Sequence, residues 1–385
     1  MRLTVLLLAL AAVVHPAAAA SHKLLDATAG QDVRFHDAFE VVNHWVQDGA
    51  FPGAVIAVGQ HHSLIALKAF GHTEYTPGAP EMRVDEIFDL ASLSKVIGTT
   101  SAAAYLYDQG RILLDAAVIG YVPEFAGTKD HEQITIRELL THSSGIPTPR
   151  LFYKFAPDKA GILKQIYVVD LAAPPGTQFV YRDPNFILLG DIVERVSRKP
   201  LNELLQQHVF GPLKMTSTEY RPGAELRDRI APTEMDNILR HQIVRGEVHD
   251  ENCYTMGGVC GHAGLFSSAG DLAIFAQTLL NRGKYGRKRI FNKKTVDLFT
   301  KRQDQPAGSS RALGWDTPAK GCFAGDLASP HAILHTGFTG TSIYVDFDRD
   351  AFIVLLTNRV NPSRQNLKIN EARPAIHTAF LAALK

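Results

Sequence analysis

The sequence predicts an α+β fold, in which one antiparallel sheet is built from both ends of the chain and a mostly helical domain is inserted between them. Two observations carry this prediction. Strand-like stretches occur at residues 53–71 and again at 311–359, whereas residues 95–305 show helical spacing broken by Pro/Gly turns. Since a pair of strands is marginal alone, we expect the two groups to share one sheet.

The first 20 residues are typical of an export signal. A basic residue follows Met1, a mainly apolar stretch of twelve residues extends over Leu3–Val14, and Ala18-Ala19-Ala20 forms a small-residue cleavage site before Ser21. A membrane anchor is the alternative, but spanning a bilayer takes about 20 apolar residues. We therefore predict that residues 1–20 are a cleaved signal peptide, that no membrane span is left, and that the protein is periplasmic or secreted.

The sheet domain is predicted to comprise residues 21–80 and 310–385, flanked by an N-terminal and a C-terminal helix. Its elements follow in order from residue spacing. A helix from residue 35 ends at Pro52-Gly53, and two strands turn at His61-His62. The remaining elements are four strands and a terminal helix, expected at 311–316, 332–338, 341–348, 351–359 and 371–385.

The inserted helical domain is predicted at residues 81–309. Within it, Ser268 precedes an apolar helical stretch and Asp271 follows three residues later, which is a helix-capping pattern. The net charge of +1 and the absence of a Lys/Arg run argue against nucleic acid or an anionic membrane surface as partner. The sequence leaves the oligomeric state open.

The stretch "FDLASLSKVIGTT" contains the pair that carries the predicted chemistry. Ser92 and Lys95 are three residues apart, so on a helix they lie on one face and touch. Burial and the helix dipole would lower the pKa of the lysine and let it take the serine proton. Because about one Ser-x-x-Lys match is expected by chance in such a chain, a serine that merely caps a helix is the alternative.

Two further stretches support the catalytic interpretation. "PPGTQFVYRDPNFILLG" carries Tyr181, and "ILHTGFTGTSIYVD" carries His335-Thr336-Gly337. In this order, and with the phrases "LLTHSSGIP" and "GGVCGHAGLFSSAGDLAIF", they resemble the serine β-lactamase and penicillin-binding superfamily over about residues 35–380. That superfamily includes D-alanyl-D-alanine carboxypeptidases, class C β-lactamases and esterases.

The resemblance implies a role for each matching residue. Ser92 would be the acylated nucleophile, Lys95 its proton partner, and Tyr181 the group that carries a proton to the leaving group. The triplet from His335 to Gly337, including Thr336, would line the substrate strand. The backbone N–H groups of Ser92 and Phe338 would form the oxyanion hole.

This chain departs from the pattern of the superfamily at two positions. Asp183 stands where an asparagine is common, and an ionised carboxylate can only accept hydrogen bonds. It is expected either to bind substrate or to pair with Lys95 and raise its pKa. His335 replaces a lysine, so its charge is expected to change near pH 6.5 and to hold a substrate carboxylate only below that pH.

The predicted function is that of an exported acyl-serine hydrolase, either D-alanyl-D-alanine carboxypeptidase-like or β-lactamase-related, acting on a small or peptidoglycan-derived substrate without a cofactor. A carboxylesterase on the same fold and a non-catalytic penicillin-binding sensor are the alternatives. His249, Asp250 and His262 lack a metal-ligand spacing, so no metal is expected.

The three cysteines leave two possibilities open. Cys253 and Cys260 are close enough in sequence to form a disulfide, or they are buried free thiols. Cys322 has no neighbour of this kind in the sequence.

Overall fold

The computed structural model describes residues 23–147 and 151–384, so the predicted signal peptide at residues 1–20 lies outside it. A six-stranded sheet has the strand order β1-β3-β2-β13-β12-β11. The strands are β1 (Leu25–Asp26), β2 (Gly53–Gln60), β3 (Ser63–Gly71), β4 (Ile87–Asp89), β5 (Glu219–Tyr220), β6 (Met235–Asp236), β7 (Gln242–Ile243), β8 (Leu265–Ser268), β9 (Lys284–Tyr285), β10 (Lys288–Arg289), β11 (Ala332–Thr336), β12 (Ser342–Asp346) and β13 (Ala351–Thr357).

The helices lie on both faces of this sheet and between its two halves in sequence. They are α1 (Gln31–Arg34), α2 (His36–Gln47), α3 (Thr100–Asp108), α4 (Ile136–Leu140), α5 (Lys159–Tyr167), α6 (Asp183–Ser197), α7 (Leu201–Leu205), α8 (Gly211–Leu213), α9 (Glu251–Thr255), α10 (Ala269–Leu280), α11 (Lys293–Phe299) and α12 (Ile369–Ala383). A π-helical turn, Ser94–Thr99, leads directly into α3. In the described ranges, no helix is long and apolar enough to cross a bilayer.

The sheet confirms the prediction that strands from both ends of the chain pair with one another. β2 pairs antiparallel with β13, which places Val55 opposite Leu356. The turn between β2 and β3 has positive φ at both His61 and His62, 49° and 63°, which suits the twist of a two-residue hairpin. The α+β fold class is therefore confirmed, while the domain boundaries at 80/81 and 309/310 stay a prediction.

One predicted strand is wrong. Residues 311–316 form only isolated bridges, between Arg311 and Asp316 and between Asp316 and Leu334. The chain turns at Gly314, where φ is +82° and an added Cβ would lie 2.1 Å from a side-chain oxygen of Thr100. This turn buries the apolar residues on either side of the glycine in the helical core rather than in the sheet.

The sheet is covered on both faces, and the alternation along β2 shows how. Ala54, Ile56 and Val58 belong to the core formed with α2 and α12. Val55 and Ala57 point to the opposite face, on which α10 packs. Since neighbouring residues of a strand face opposite sides, this fully buried strand has apolar residues from Ala54 to Val58 rather than an alternating pattern. Apolar side chains therefore pack on both faces of the sheet, and this packing fixes the position of β11.

Candidate active site

The turn before Ser92 presents this residue at the end of β4. Ala91 has a φ of +46°, which is uncommon for a residue other than glycine. The buried carboxylate of Asp89 holds the turn, because Oδ1 accepts a hydrogen bond from the Ala91 N–H at 2.8 Å and Oδ2 accepts one from the His249 N–H at 2.7 Å. The π-helical turn that follows then carries Lys95 beneath the serine.

Lys95 is fully buried and makes three polar contacts. Its Nζ donates to Ser92 Oγ at 3.1 Å and to the His262 carbonyl oxygen at 3.0 Å. It also forms an ion pair with Asp183 Oδ1 at 2.7 Å. Ser92 and Lys95 are thus in contact, as their spacing predicts, and of the two roles considered for Asp183 the contact found is the pairing with Lys95.

The charge state of Lys95 differs from the first expectation. Burial by itself lowers the pKa of Lys95, but the charge of Asp183, with the neighbouring Tyr181, raises that pKa above its ordinary value. The predicted net lowering is therefore wrong, because a carboxylate lies within hydrogen-bonding distance of Nζ. A raised pKa favours the ammonium form of Lys95 at neutral pH.

Tyr181 lies beside this ion pair, and His142 supports it from behind. The centroid of the Tyr181 ring is 5.0 Å from Lys95 Nζ and 4.5 Å from the centroid of the His142 ring. The Nδ1 of His142 accepts a hydrogen bond from the Arg182 N–H and lies 3.2 Å from Asn185 Nδ2. Burial, followed by the charges of nearby cations, lowers the pKa of His142 well below its usual value, so the ring is neutral.

The opposite wall of the cleft is the end of β11. An added Cβ at Gly337 would lie 2.1 Å from Thr341 Oγ1 and 2.4 Å from the Leu90 carbonyl oxygen, so only glycine fits there. The hydroxyl groups of Thr339 and Thr341 donate to the carbonyl oxygens of Asp89 and Leu90, at 2.7 and 3.1 Å. These two bonds join the substrate strand to the turn that presents the nucleophile.

His335 is only 5% exposed, and its Nδ1 lies 2.9 Å from the Thr336 carbonyl oxygen, to which it donates. Burial, and then the charges of Arg311 and Lys95, lower the pKa of His335 well below its ordinary value. The expectation of an imidazolium near pH 6.5 is therefore wrong, because the ring is desolvated among cations.

The cleft is also lined by three arginines, which the spacing of residues in the sequence did not indicate. The cleft has a volume of 670 Å³ and contains Ser92, Tyr181, His335, Thr336, Gly337 and Phe338 together with Arg311, Arg359 and Arg373. The Nη2 of Arg373 donates to the carbonyl oxygens of Gly337 and Thr341, and the Nε of Arg359 donates to that of Phe338. The arginines are distant in sequence from Ser92 and Lys95, so no spacing could have revealed them.

Comparison with known proteins agrees with this arrangement. A family model described as "Beta-lactamase" matches residues 37–376. The chain belongs to the beta-lactamase family. The resemblance drawn from the three sequence stretches is thereby confirmed.

Two relatives and one solved structure illustrate the membership in the beta-lactamase family. A protein of Escherichia coli (strain K12), provisionally named a D-alanyl-D-alanine carboxypeptidase, is 31% identical over 397 residues that cover 93% of this chain and 91% of that protein. The N-acetylmuramyl-L-alanine amidase of Bacillus subtilis (strain 168) is 34% identical over 345 residues, covering 80% and 77%. The crystal structure of a penicillin-binding protein homologue from Caulobacter crescentus matches with a TM-score of 0.73 at 18% identity, covering 91% and 98%.

The oxyanion hole expected for a beta-lactamase-family enzyme has its donors free. Within residues 23–147 and 151–384, neither the Ser92 N–H nor the Phe338 N–H has a hydrogen-bond acceptor inside the protein. Both residues line the same cleft. Two unused N–H groups at the cleft are what stabilisation of a tetrahedral oxyanion requires.

The loop behind Lys95 in this beta-lactamase-family chain consists of paired side chains. His262 Nε2 lies 2.9 Å from Asp250 Oδ1, and His249 Nε2 lies 2.7 Å from Glu234 Oε2. In the part of the chain that the structure describes, no group of three or more His, Cys, Asp or Glu side chains could hold a metal. The pairing with Asp250 fixes the side chain of His262, whose carbonyl oxygen accepts from Lys95.

The cysteines are free thiols, which settles the alternative left open by the sequence. The buried Cys253 Sγ donates to the Ala263 carbonyl oxygen, and the Cys260 Sγ donates to the Cys253 carbonyl oxygen. Cys322 is half-buried and lines the cleft.

Proposed function

We propose that this beta-lactamase-family hydrolase works through an acyl-enzyme on Ser92 and cleaves amide substrates of the D-alanyl-D-alanine carboxypeptidase or β-lactam type. The single observation that carries the proposal is the 3.1 Å contact between Ser92 Oγ and Lys95 Nζ in the cleft. A serine hydroxyl in contact with a buried lysine is placed to pass its proton to that side chain as it attacks, which is an arrangement of covalent catalysis.

In this mechanism Ser92 Oγ attacks the substrate carbonyl carbon and its proton leaves towards Lys95. The electron pair of the carbonyl moves to oxygen, where the N–H groups of Ser92 and Phe338 stabilise the negative charge. Tyr181 relays a proton from Lys95 to the leaving group as the scissile bond breaks. Water then attacks the acyl-enzyme and releases the acyl group.

Two observations favour an amide substrate with a carboxylate. The cleft is lined by Arg311, Arg359 and Arg373, which remain cationic at neutral pH and suit an anionic substrate group. The names of the two relatives, a carboxypeptidase and an amidase, denote amide hydrolases. Such substrates occur in the bacterial cell envelope, in agreement with the predicted export and a periplasmic or secreted location.

A carboxylesterase is the second candidate, because the rim of the cleft is apolar. Phe179, Phe338 and Leu367 line it and are 39%, 48% and 63% exposed. Such a rim would suit the apolar acyl or alcohol part of an ester. The third candidate, a non-catalytic penicillin-binding sensor, would acylate on the same serine without turning over.

Intact-protein mass spectrometry separates these three candidates. The protein would be exposed to a penicillin, to a short-chain nitrophenyl ester, and to a peptide ending in D-alanyl-D-alanine. We expect a penicillin adduct on Ser92 and release of D-alanine from the peptide. Turnover of the ester alone would favour the esterase, and a permanent adduct without turnover would favour the sensor. No adduct and no turnover with any of the three would contradict the proposal.

A further inference from the structure

The ion pair between Lys95 and Asp183 raises a problem of proton transfer. An ammonium nitrogen has no lone pair, so Lys95 cannot accept the proton of Ser92 while it keeps all of its own. Its three N–H groups face three acceptors, which are Ser92 Oγ, the His262 carbonyl oxygen and Asp183 Oδ1. Of these, only the carboxylate is a group that can readily take up a proton.

We propose that Asp183 is the proton acceptor for acylation and that Lys95 passes the proton on as an ammonium relay. This inference rests on the proposed acyl-enzyme mechanism. As the bond from Ser92 Oγ to the substrate carbonyl carbon forms, the hydroxyl proton moves to Lys95 Nζ. In the same step one Nζ proton moves to Asp183 Oδ1, and the carbonyl electron pair becomes the oxyanion.

The charges balance in this step. Before it, the carboxylate of Asp183 carries the negative charge, and after it, the oxyanion does, while Lys95 stays positive between them. The negative charge therefore moves across an ammonium that attracts it in both positions. A lysine acting alone would first have to lose a proton beside a carboxylate, which favours the charged form of the amine.

The position of Asp183 supports this role. It is the first residue of α6, a helix of 15 residues, and its Oδ1 lies 2.7 Å from Lys95 Nζ. Its side chain is 27% exposed, while that of Lys95 is fully buried. The carboxylate is therefore in contact with both Lys95 and solvent, and it can return its proton through Lys95 and Tyr181 to the leaving group.

The other titratable groups that influence or are influenced by Lys95 cannot replace the carboxylate. Among the described residues, neither His142 nor His335 is hydrogen-bonded to Lys95 Nζ or Ser92 Oγ, and burial lowers the pKa of both rings, which makes them weak bases. Tyr181 contacts Lys95 with its ring, whose centroid is 5.0 Å from Nζ, and with its hydroxyl, and it is already assigned to carry the proton onward to the leaving group. Asp250 is paired with the imidazole of the residue whose carbonyl contacts Lys95.

The test compares the acylation rates of Asp183→Asn, Asp183→Glu and the unaltered protein over a range of pH, using the nitrophenyl ester and a penicillin. An amide cannot take up a proton, so Asp183→Asn should lower kcat/KM at pH 7 by about 10²- to 10⁴-fold, mainly through kcat. Its activity should rise only at more alkaline pH, where Lys95, freed of its counter-charge, loses a proton. Asp183→Glu should keep the profile of the unaltered protein at a reduced rate.

A proton inventory in mixtures of H2O and D2O gives a second measurement. Two protons move in one step in the proposed relay, so the acylation rate should depend on deuterium content along a curve, and the dependence should become linear in Asp183→Asn. Glu194→Gln is the matched control, because it removes the carboxylate of a lysine ion pair outside the cleft. It should leave both the pH profile and the curvature unchanged.

The outcomes separate this inference from the proposed function. If the unaltered protein acylates but Asp183→Asn keeps its pH profile and changes only KM, Asp183 binds substrate and the relay is wrong. If Asp183→Asn is faster at pH 7, a free amine is the base and the relay is again wrong. If the unaltered protein acylates with neither probe, the proposed function fails first, and the relay fails with it.

Discussion

The cleft has two walls that differ in how buried positive charge is paired. The nucleophile wall carries Ser92, Lys95 and Asp183, and the strand wall is the end of β11 with Arg359 and Arg373. On the nucleophile wall, the ammonium of Lys95 has a carboxylate partner, Asp183, at 2.7 Å. On the strand wall, the guanidinium groups of Arg359 and Arg373 bond to backbone carbonyl oxygens, and among the described residues neither forms an ion pair. One wall is neutral overall and the other is positive.

This difference assigns different tasks to the walls. When a buried charged group contacts a group of opposite charge, a proton can move between the two without leaving a net charge in a site that excludes water. A buried guanidinium without a carboxylate is destabilised, and burial lowers the pKa of both Arg359 and Arg373 to about 10. An anionic substrate group would relieve this destabilisation. We therefore expect proton transfer on the nucleophile wall and substrate binding on the strand wall.

The largest effect expected on the nucleophile wall is the complete loss of acylation in Ser92→Ala. The substitution removes only one hydroxyl, so the fold should be unchanged. Mass spectrometry after exposure to a penicillin or an ester measures the adduct directly. Any adduct retained at the normal rate would show that a different residue is the nucleophile.

Ser94→Ala is the matched control for Ser92→Ala. The Ser94 hydroxyl is buried and accepts a hydrogen bond from the Leu265 N–H at 3.0 Å. Its removal should therefore lower the free energy of unfolding by about 1–3 kcal/mol, because a buried donor loses its partner. Acylation of Ser94→Ala should continue, since Ser94 does not line the cleft.

On the strand wall, Arg373→Gln should weaken the binding of acidic substrates. The amide can still donate to the carbonyl oxygens of Gly337 and Thr341 but carries no charge. Losing one charged hydrogen bond to a substrate carboxylate should raise KM about 10- to 100-fold. The KM of a neutral ester should change little, and an equal rise for both substrates would contradict the assignment of the walls.

The contact between Ser92 and Lys95 on the nucleophile wall was predictable from the sequence, because these two residues are close together in the chain. The three-residue spacing from Ser92 to Lys95 determines a contact on any helical turn. The hairpin of β2 and β3 was predictable for the same reason, since a short apolar run bounded by turn residues is a local signal. Asp183 decides the charge of Lys95, but its pairing with Lys95 was only one of the two roles that the sequence predicted for it.

The strand wall was less predictable, because its charges come together only through the fold. Arg311, Arg359 and Arg373 belong to three separate segments, and no periodicity links them. The wrong strand at residues 311–316 has a related cause. Its apolar residues have a strand-like composition, but the turn at Gly314 directs them into the helical core. Packing of this kind cannot be read from one segment.

The hydrogen bonds that Thr339 and Thr341 form between the two walls are expected to make a moderate contribution to stability and to kcat. Thr339→Val keeps the shape of the side chain but leaves the buried carbonyl of Asp89 without the hydroxyl that donates to it at 2.7 Å. We expect the free energy of unfolding to fall by about 1–3 kcal/mol. Urea denaturation followed by circular dichroism would measure this change.

The catalytic effect of Thr339→Val should lie in kcat. A small displacement of Phe338 relative to Ser92 misplaces the oxyanion donors, which should lower kcat by about tenfold or less. A change in KM alone would mean that these hydrogen bonds position the substrate and not the oxyanion hole. Unchanged kcat and stability would show that the hydroxyl does not join the walls.

The smallest effect is expected for the pH dependence of substrate binding, and it bears on His335. The pKa of His335 is lowered well below its ordinary value of 6.5, so the ring is neutral from pH 5.5 to 8.5. If the arginines supply the positive charge of the strand wall, the KM for an acidic substrate should change by less than about twofold over this range, because arginine stays protonated throughout. A neutral ester measured in parallel controls for changes elsewhere in the enzyme.

If the KM for the acidic substrate instead rises as the pH increases through 6.5 while that of the ester stays level, an imidazolium holds the carboxylate. The positive character of the strand wall would then depend on His335, and the contrast between the two walls would hold only in acid.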